Sequence, residues 1–456
     1  MIHKYKLNGY NIVLDINSGG VHVVDELTYD LLDNVEPPFE HKCPEWVVNK
    51  LQRFYSRDEI ESCYAEVLEL YADKIIFSED DYEQYAENSI LAPIKAMCLH
   101  VAHDCNLRCG YCFASTGDFG ETRGLMSFET GKKAIDFLIE KSEDRVELEV
   151  DFFGGEPLMN FDVVKQIVEY ARQKEKEFGK KFKFTITTNG ILLDDEKIDY
   201  INREMYNVVL SIDGRKEVND NIRKRIDGTG SYNTILPKFK KLVEGRKDKD
   251  YYVRGTFTKY NLDFSDDVYS LFEQGFDQIS VEPVVADPKE DYAITEKELP
   301  AVFREYERLA EKILESDKKG ERFNFFHFMV DLDQGPCAIK RLRGCGCGND
   351  YIAITPQGDI YPCHQFVGMP EYKMGNLYEG TFNEDIKKEF SNTHIYSKPE
   401  CKNCWAKFYC SGGCNANNYQ YAGDIHNAHK LYCEIQKKRL ECAIMIKAVR
   451  LTEGTE

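Results

Sequence analysis

Sixteen cysteines in a chain of 456 residues, and above all their placement, restrict what this sequence can become. Three fall between Cys105 and Cys112, nine fall between Cys337 and Cys433, and the stretch between Cys112 and Cys337 holds none. Thiols buried as small hydrophobes would scatter along the chain, whereas ligands to metal centres cluster as these do. The start, MIHKYKLNGY, lacks the charged-then-apolar plan of an export signal, and no apolar run reaches membrane-spanning length. The reading is a soluble, cytoplasmic chain with no membrane partner, in which thiols stay reduced and disulfides explain little. A formal net charge of −20 argues against a nucleic-acid partner, which needs clustered Lys and Arg.

The first ninety residues read as a separate small unit. Tyr5–Leu7, Tyr10–Asp15 and Val21–Val24 are strand-like runs split by turn signals at Asn8-Gly9 and Ser18-Gly19-Gly20. Asp25 is an N-cap candidate for a helix that Pro37-Pro38 cannot continue, and further helices fit Pro44–Tyr55 and Arg57–Tyr71. Three strands and three helices match a winged helix-turn-helix in outline. The acidic run Ser78–Asn88 reads as a boundary.

From about Ile94 to Glu315, strand-like and helical stretches alternate. Six apolar runs, Lys95–Val101, Glu147–Phe153, Phe182–Thr187, Asn207–Ile212, Tyr251–Phe257 and Gln278–Val284, are each followed by a helical pattern. The fold class is α/β, with a parallel sheet curved into a partial (β/α)6 barrel and chemistry at the carboxyl ends of its strands. Beyond Cys337 the chain reads as loop-rich, with metal clusters as its staples.

Directly after the first barrel strand comes Cys105-x3-Cys109-x2-Cys112. Three thiolates on one loop can hold three irons of a [4Fe–4S] cube and leave the fourth open to a chelating small molecule. A zinc site would want a fourth ligand, and none lies nearby in sequence. Near the C-terminus the spacing is Cys401-x2-Cys404-x5-Cys410-x3-Cys414, followed by Cys433, with Cys337, Cys345, Cys347 and Cys363 upstream. Read by itself this second set also suits zinc, since four thiolates do not separate zinc from iron–sulfur. Cys43, Cys63, Cys98 and Cys442 fit neither set and read as small buried hydrophobes.

With Tyr111 before its last cysteine, the triad resembles the signature of the radical SAM superfamily, and the resemblance covers Ile94 to about Glu315. It implies that Cys105, Cys109 and Cys112 hold a cluster that binds S-adenosylmethionine (SAM), which is split reductively to a 5′-deoxyadenosyl radical. It also implies SAM contacts from Tyr111, from Gly154, Gly155, Glu156 and Pro157 at the second strand end, and from Asn189 at the third. Ser211 would meet the ribose and Arg223 the carboxylate, with Arg225 competing for the latter role. An electron donor such as a ferredoxin or flavodoxin follows.

The C-terminal cysteines are similar to those of the SPASM domain, which carries two auxiliary [4Fe–4S] clusters, for three in all. By that likeness Cys401, Cys404, Cys410 and Cys433 bind one. Cys363 and Cys414 bind the other with Cys345 or Cys347, and its fourth site is either Cys337 or an iron open to a substrate thiolate.

The N-terminal unit resembles the RiPP recognition element, which captures the leader of a ribosomally made precursor peptide as an added strand, here beside Val21, His22, Val23 and Val24. The chain as a whole resembles the maturases of SCIFF (six cysteines in forty-five residues) peptides, on YKLNGYNIVLDINSGGVHVVDELTYDLL and CNLRCGYCFA. The resemblance implies a thioether between a cysteine sulfur and a carbon of another residue, commonly threonine, as in sactipeptides and ranthipeptides. The expected layout is a recognition unit over 1–88, a radical SAM barrel over 89–320 and a SPASM segment over 321–456. Two other readings stand: a sulfatase-maturating oxidase that makes formylglycine, and a non-catalytic zinc scaffold. Glu282, His364 and Tyr111 are further candidate site neighbours.

Overall fold

The computed structural model describes residues 1–87, 91–332 and 341–453, so Cys337 lies outside the described residues. At the N-terminus β1 (Ile2–Leu7), β2 (Tyr10–Asp15) and β3 (Val21–Val24) form an antiparallel sheet in that order. Asp25 caps the following helix, Glu26–Leu31, by accepting from the Thr28 N–H. Ser56 and Glu59 form a reciprocal capping box on the helix Arg57–Ala72, and such a cap contributes about 1 kcal/mol. Val13, Leu31, Val47, Val48, Ile60 and Val67 close a small core of their own.

The barrel strands follow the apolar runs of the sequence. They are β4 (Ala96–His103), the short β5 (Leu107–Cys109) and β6 (Gly124–Leu125), β7 (Glu147–Gly154), β8 (Lys181–Thr188) and β9 (Asn207–Ser211). Then come β10 (Arg223–Arg225), β11 (Asp250–Phe257), β12 (Gln278–Pro283) and β13 (Asn324–Phe325). The pairs β4–β7, β7–β8, β8–β9, β9–β11 and β11–β12 are all parallel. Long amphipathic helices such as Phe128–Lys141, Phe161–Phe178 and Leu299–Lys318 connect or flank them. Leu148, Val150, Phe152, Phe182, Phe184, Val208, Leu210, Val253 and Phe257 point into the layer between sheet and helices. Burying a side chain of this size stabilises by about 1.5–3 kcal/mol. Alternation then sends the intervening residues, among them Cys98, Asp151, Ser211 and Arg254, to the inner face.

Beyond Cys337 the structure corrects the sequence reading. Strand β14 (Tyr351–Ile354) pairs parallel with β4, and β15 (Asp359–Tyr361), β16 (Gly375–Asn376) and β17 (Thr381–Phe382) continue the sheet antiparallel. A 24-residue helix, Lys430–Glu453, buries Cys442, Ala443, Ile444, Met445, Ile446, Ala448 and Val449 in the main core. The cysteine-rich segment is therefore anchored by ordinary packing as well.

The acidic run after Phe77 is tied to the C-terminal segment. Asp80 accepts from the Tyr396 hydroxyl at 2.6 Å and pairs with the buried Lys407, while Glu83 pairs with Lys402 at 2.7 Å. Nearby, His3 stacks on Trp405 with ring centres 3.8 Å apart, and the Tyr5 hydroxyl donates to the Glu441 carbonyl at 2.8 Å. The N-terminal unit is thus fastened to the C-terminal segment through its sheet and through this linker. Among the described residues, no helix is long and apolar enough to cross a membrane.

Candidate active site

The loop that carries Cys105, Cys109 and Cys112 leaves the end of β4 and is held from two sides. On one, β5 pairs antiparallel with β10, which sets Arg223 opposite Cys109. On the other, the turn after β7 presses against it. A Cβ on Gly154 would lie 2.2 Å from the Ala102 carbonyl oxygen, and one on Gly155 2.2 Å from that of Asp104. Only glycine allows the strand-end turn to come this close. Pro157 starts the buried 3₁₀ turn Pro157–Asn160 that follows.

Asn189, at the end of β8, reaches the same loop. Its Nδ2 donates to Asn106 Oδ1 at 2.8 Å and lies 3.6 Å from Cys105 Sγ, which also accepts from the Leu107 N–H at 3.4 Å. Hydrogen bonds to sulfur of this kind tune a cluster bound there. Burial pushes the Cys105 thiol up to about 12 and the Cys109 thiol to about 11, so the loop favours thiolates only when a cation joins them.

Glu156 is fully buried, and its carboxylate is already engaged. It accepts from Thr188 Oγ1 at 2.7 Å, Leu158 N at 3.0 Å and Asn189 N at 2.8 Å. Burial outweighs these donors and raises its pKa to about 7. Three of roughly four lone-pair sites are therefore in use, and one remains open.

Tyr111, Asp213 and Arg223 form a buried network that sequence spacing alone does not reveal. The Tyr111 hydroxyl meets both oxygens of Asp213 at 2.8 Å and accepts from Arg223 Nη1 at 2.8 Å. Arg223 is 8% exposed, and its Nε is buried with no partner. Arg225 instead donates to Thr234. Both arginines lie on β10 against the cysteine loop and each keeps a buried, unpartnered Nε, Arg223 opposite Cys109 and Arg225 opposite Leu107. Ser211 ends β9, half-buried.

The inner face of the barrel continues toward the C-terminal segment. Arg254 on β11 donates to Glu282 Oε2 at 2.9 Å, with half of its side chain accessible. Burial would lift the Glu282 carboxyl, but Arg254, His327 and Arg439 together hold it at about 2. His327 lies between Ser280 at 3.1 Å and Arg439 at 3.0 Å. His364 packs on Phe153 and Phe113. Glu282 and His364 therefore line the same interior; Arg254 and Arg439 join them without any motif to mark them.

The later cysteines fall into two groups in space. Cys401, Cys404, Cys410 and Cys433 line one cavity of about 700 Å³, and burial plus mutual repulsion pushes Cys401 and Cys433 up to about 12. Cys347, Cys363 and Cys414 pack in one cluster, with Cys345 within electrostatic reach of Cys414. Among the described residues no three His, Cys, Asp or Glu side chains converge tightly enough to hold a single ion. A cubane is bound by thiolates on separate corners and does not ask for such convergence. Of the unassigned thiols, Cys63, Cys98 and Cys442 are buried as expected, but Cys43 is only half-buried.

A partial parallel barrel with a three-thiol loop at its strand ends, a glycine cradle beside it and two further thiol groups defines an iron–sulfur protein of the radical type. The comparisons agree. Residues 99–257 match the model of the radical SAM superfamily, and residues 345–405 match SPASM, an iron–sulfur cluster-binding domain. The chain is a radical SAM protein with a C-terminal SPASM domain. It is 26% identical to a cysteine-type anaerobic sulfatase-maturating enzyme of Clostridium novyi, over 74% of this chain and 92% of that one. It is 25% identical to AlbA, the antilisterial bacteriocin subtilosin biosynthesis protein of Bacillus subtilis, over 73% and 70%. The structure of Streptococcus suis SuiB bound to S-adenosylmethionine covers 94% of this chain and is itself covered to 97%, with a TM-score of 0.55 at 18% identity. The thiol groups, the glycine cradle and the unspent Arg223 donor fit SAM and multiple [4Fe–4S] clusters.

Proposed function

We propose that this protein is a peptide maturase that joins a cysteine sulfur to a carbon of an acceptor residue, threonine in the favoured case, in a cysteine-rich precursor. SAM on its cluster would supply a carbon-centred radical for hydrogen abstraction. In the balanced reaction the acceptor carbon loses a hydrogen atom, the thiol loses a proton, and one electron passes to an iron–sulfur acceptor as the C–S bond forms. The peptide loses two hydrogens.

In this reading Cys105, Cys109 and Cys112 hold the SAM cluster. Tyr111, Gly154, Gly155, Glu156, Pro157, Asn189, Ser211 and Arg223 surround the cofactor. Cys401, Cys404, Cys410 and Cys433 form one auxiliary site, and Cys363 and Cys414 with Cys345 or Cys347 form the other, its fourth position taken by Cys337 or left as an iron open to a substrate thiolate. A ferredoxin or flavodoxin class of donor reduces the enzyme.

The observation that carries the peptide reading is the N-terminal sheet. It lies outside both matched regions, and the Clostridium novyi enzyme matches only 74% of the chain. Strand β3 sits at the sheet edge with no strand beyond it among the described residues, and Val23 is 39% exposed. An extended leader can add there through backbone hydrogen bonds.

Removing this unit is a poor test, because Tyr5 and Leu7 belong to the main core. The test is instead made on the substrate. A cysteine-rich peptide encoded beside this gene is incubated anaerobically with enzyme, SAM and reductant. A loss of two hydrogens, with one thiol no longer alkylated, is expected, and leader-less peptide should be poorly converted. Loss of sulfur to give an aldehyde would replace this reading with formylglycine formation.

A further inference from the structure

Lysine is rarely fully buried without a paired carboxylate, because an isolated charge is costly in a low dielectric. Lys398 is 1% exposed. Its Nζ donates to the Gly412 carbonyl at 2.9 Å and to Asn415 Oδ1 at 3.0 Å, and both acceptors are neutral. Among the described residues no carboxylate reaches it. Lys407, a few residues away and just as buried, has Asp80 for that purpose.

The acidic ionisable groups within reach of Lys398 are instead thiols. Gly412, which it holds, lies between Cys410 and Cys414 in the chain and lines the cavity with Cys401, Cys404, Cys410 and Cys433. Cys401, Cys410, Cys414 and Cys433 are all within electrostatic reach of its ammonium group. Cys414 belongs to the other thiol group, so Lys398 is within electrostatic reach of both. A [4Fe–4S] cube with four thiolates carries net negative charge, and reduction adds one more electron. A fixed cation nearby favours the reduced form, and local charge is one of the levers that set cluster potentials.

We propose that Lys398 is the internal counter-ion of the auxiliary clusters and raises their reduction potential, most strongly for the cluster of the Cys401 group. This rests on the reading that both thiol groups hold iron–sulfur clusters. It makes Lys398 a positioning and tuning residue, not one that touches substrate. The auxiliary pair becomes a better sink for the electron released when the peptide is oxidised.

The test is a potentiometric titration of anaerobically reconstituted full-length protein, followed by electron paramagnetic resonance, for wild type, Lys398→Arg, Lys398→Met and Lys398→Gln. Glutamine keeps a donor for Gly412 without the charge. The auxiliary signals of Lys398→Met and Lys398→Gln should become at least tenfold harder to reduce, a shift of about 59 mV for one electron. Lys398→Arg should stay near wild type, and the SAM-site signal should not move. If Lys398→Met loads iron poorly while Lys398→Gln loads normally, Lys398→Gln alone decides. A fully iron-loaded Lys398→Gln with wild-type potentials overturns the inference. Failure of wild-type protein to bind iron and sulfide in the C-terminal segment would instead overturn the cluster reading beneath it.

Discussion

The hydroxyl of Tyr111 and the carboxylate of Asp213 meet at 2.8 Å through both carboxylate oxygens, although the residues are 102 positions apart in the chain. The contact ties the cysteine loop to the end of β9 and presents Arg223 beside Cys109. Any ligand at this loop meets a tyrosine, a carboxylate and a guanidinium already set relative to one another.

Tyr111→Phe deletes the hydroxyl and leaves the fully buried Asp213 short of a donor. Such a loss costs about 1–3 kcal/mol. SAM affinity, measured by equilibrium dialysis on cluster-loaded protein, should fall by about tenfold or more with iron content unchanged. Unchanged affinity would detach this network from cofactor binding.

Asp80→Ala removes the one carboxylate paired with Lys407 among the described residues, and that lysine's side chain is 2% exposed. Stranding a buried charge costs about 3–5 kcal/mol. The variant should unfold at lower denaturant, and the N-terminal unit should lose amide protection first. Stability within 0.5 kcal/mol of wild type (~the surface-substitution range) would show that the linker contact contributes nothing.

His327 gives a pH dependence whose sign can be worked out. Burial, with Arg439 next, holds its pKa down at about 3, well below the free value of 6.5. The folded protein keeps it neutral while the unfolded chain takes up a proton. The stability it provides is complete above pH 6.5 and drains away as pH falls toward 3, by about 1.4 kcal/mol per pH unit. His327→Gln should flatten this part of the stability profile, measured by chemical denaturation between pH 7 and pH 5. Equal slopes in the two proteins would contradict it.

The barrel was legible because period-two apolar runs and amphipathic helices alternate from Lys95 onward. All six expected strands match within one residue at their starts, while Lys181–Thr188, Ala96–His103 and Glu147–Gly154 run one or two residues beyond their expected ends. The helix Lys430–Glu453 was not legible. It is covered on several sides, burying the unbroken run Cys442–Ile446, so no single apolar stripe marks it. Spacing marked the thiols, because ligands on one loop must be close in sequence. It did not mark Asp213, Arg254 or Lys398, which reach their partners only through the fold. The contacts of the acidic run were hidden for a related reason, since Lys407 and Tyr396 lie more than 300 residues from Asp80.

The cysteine triad is the part on which everything else depends. Full-length protein is reconstituted with iron and sulfide under anaerobic conditions, supplied with SAM and dithionite, and assayed for 5′-deoxyadenosine by chromatography. Wild-type protein should form it, and Cys109→Ala should lose the activity together with one cluster's iron while the C-terminal clusters remain. Formation of 5′-deoxyadenosine by Cys109→Ala at the wild-type rate, or none from iron-loaded wild type, would contradict the account.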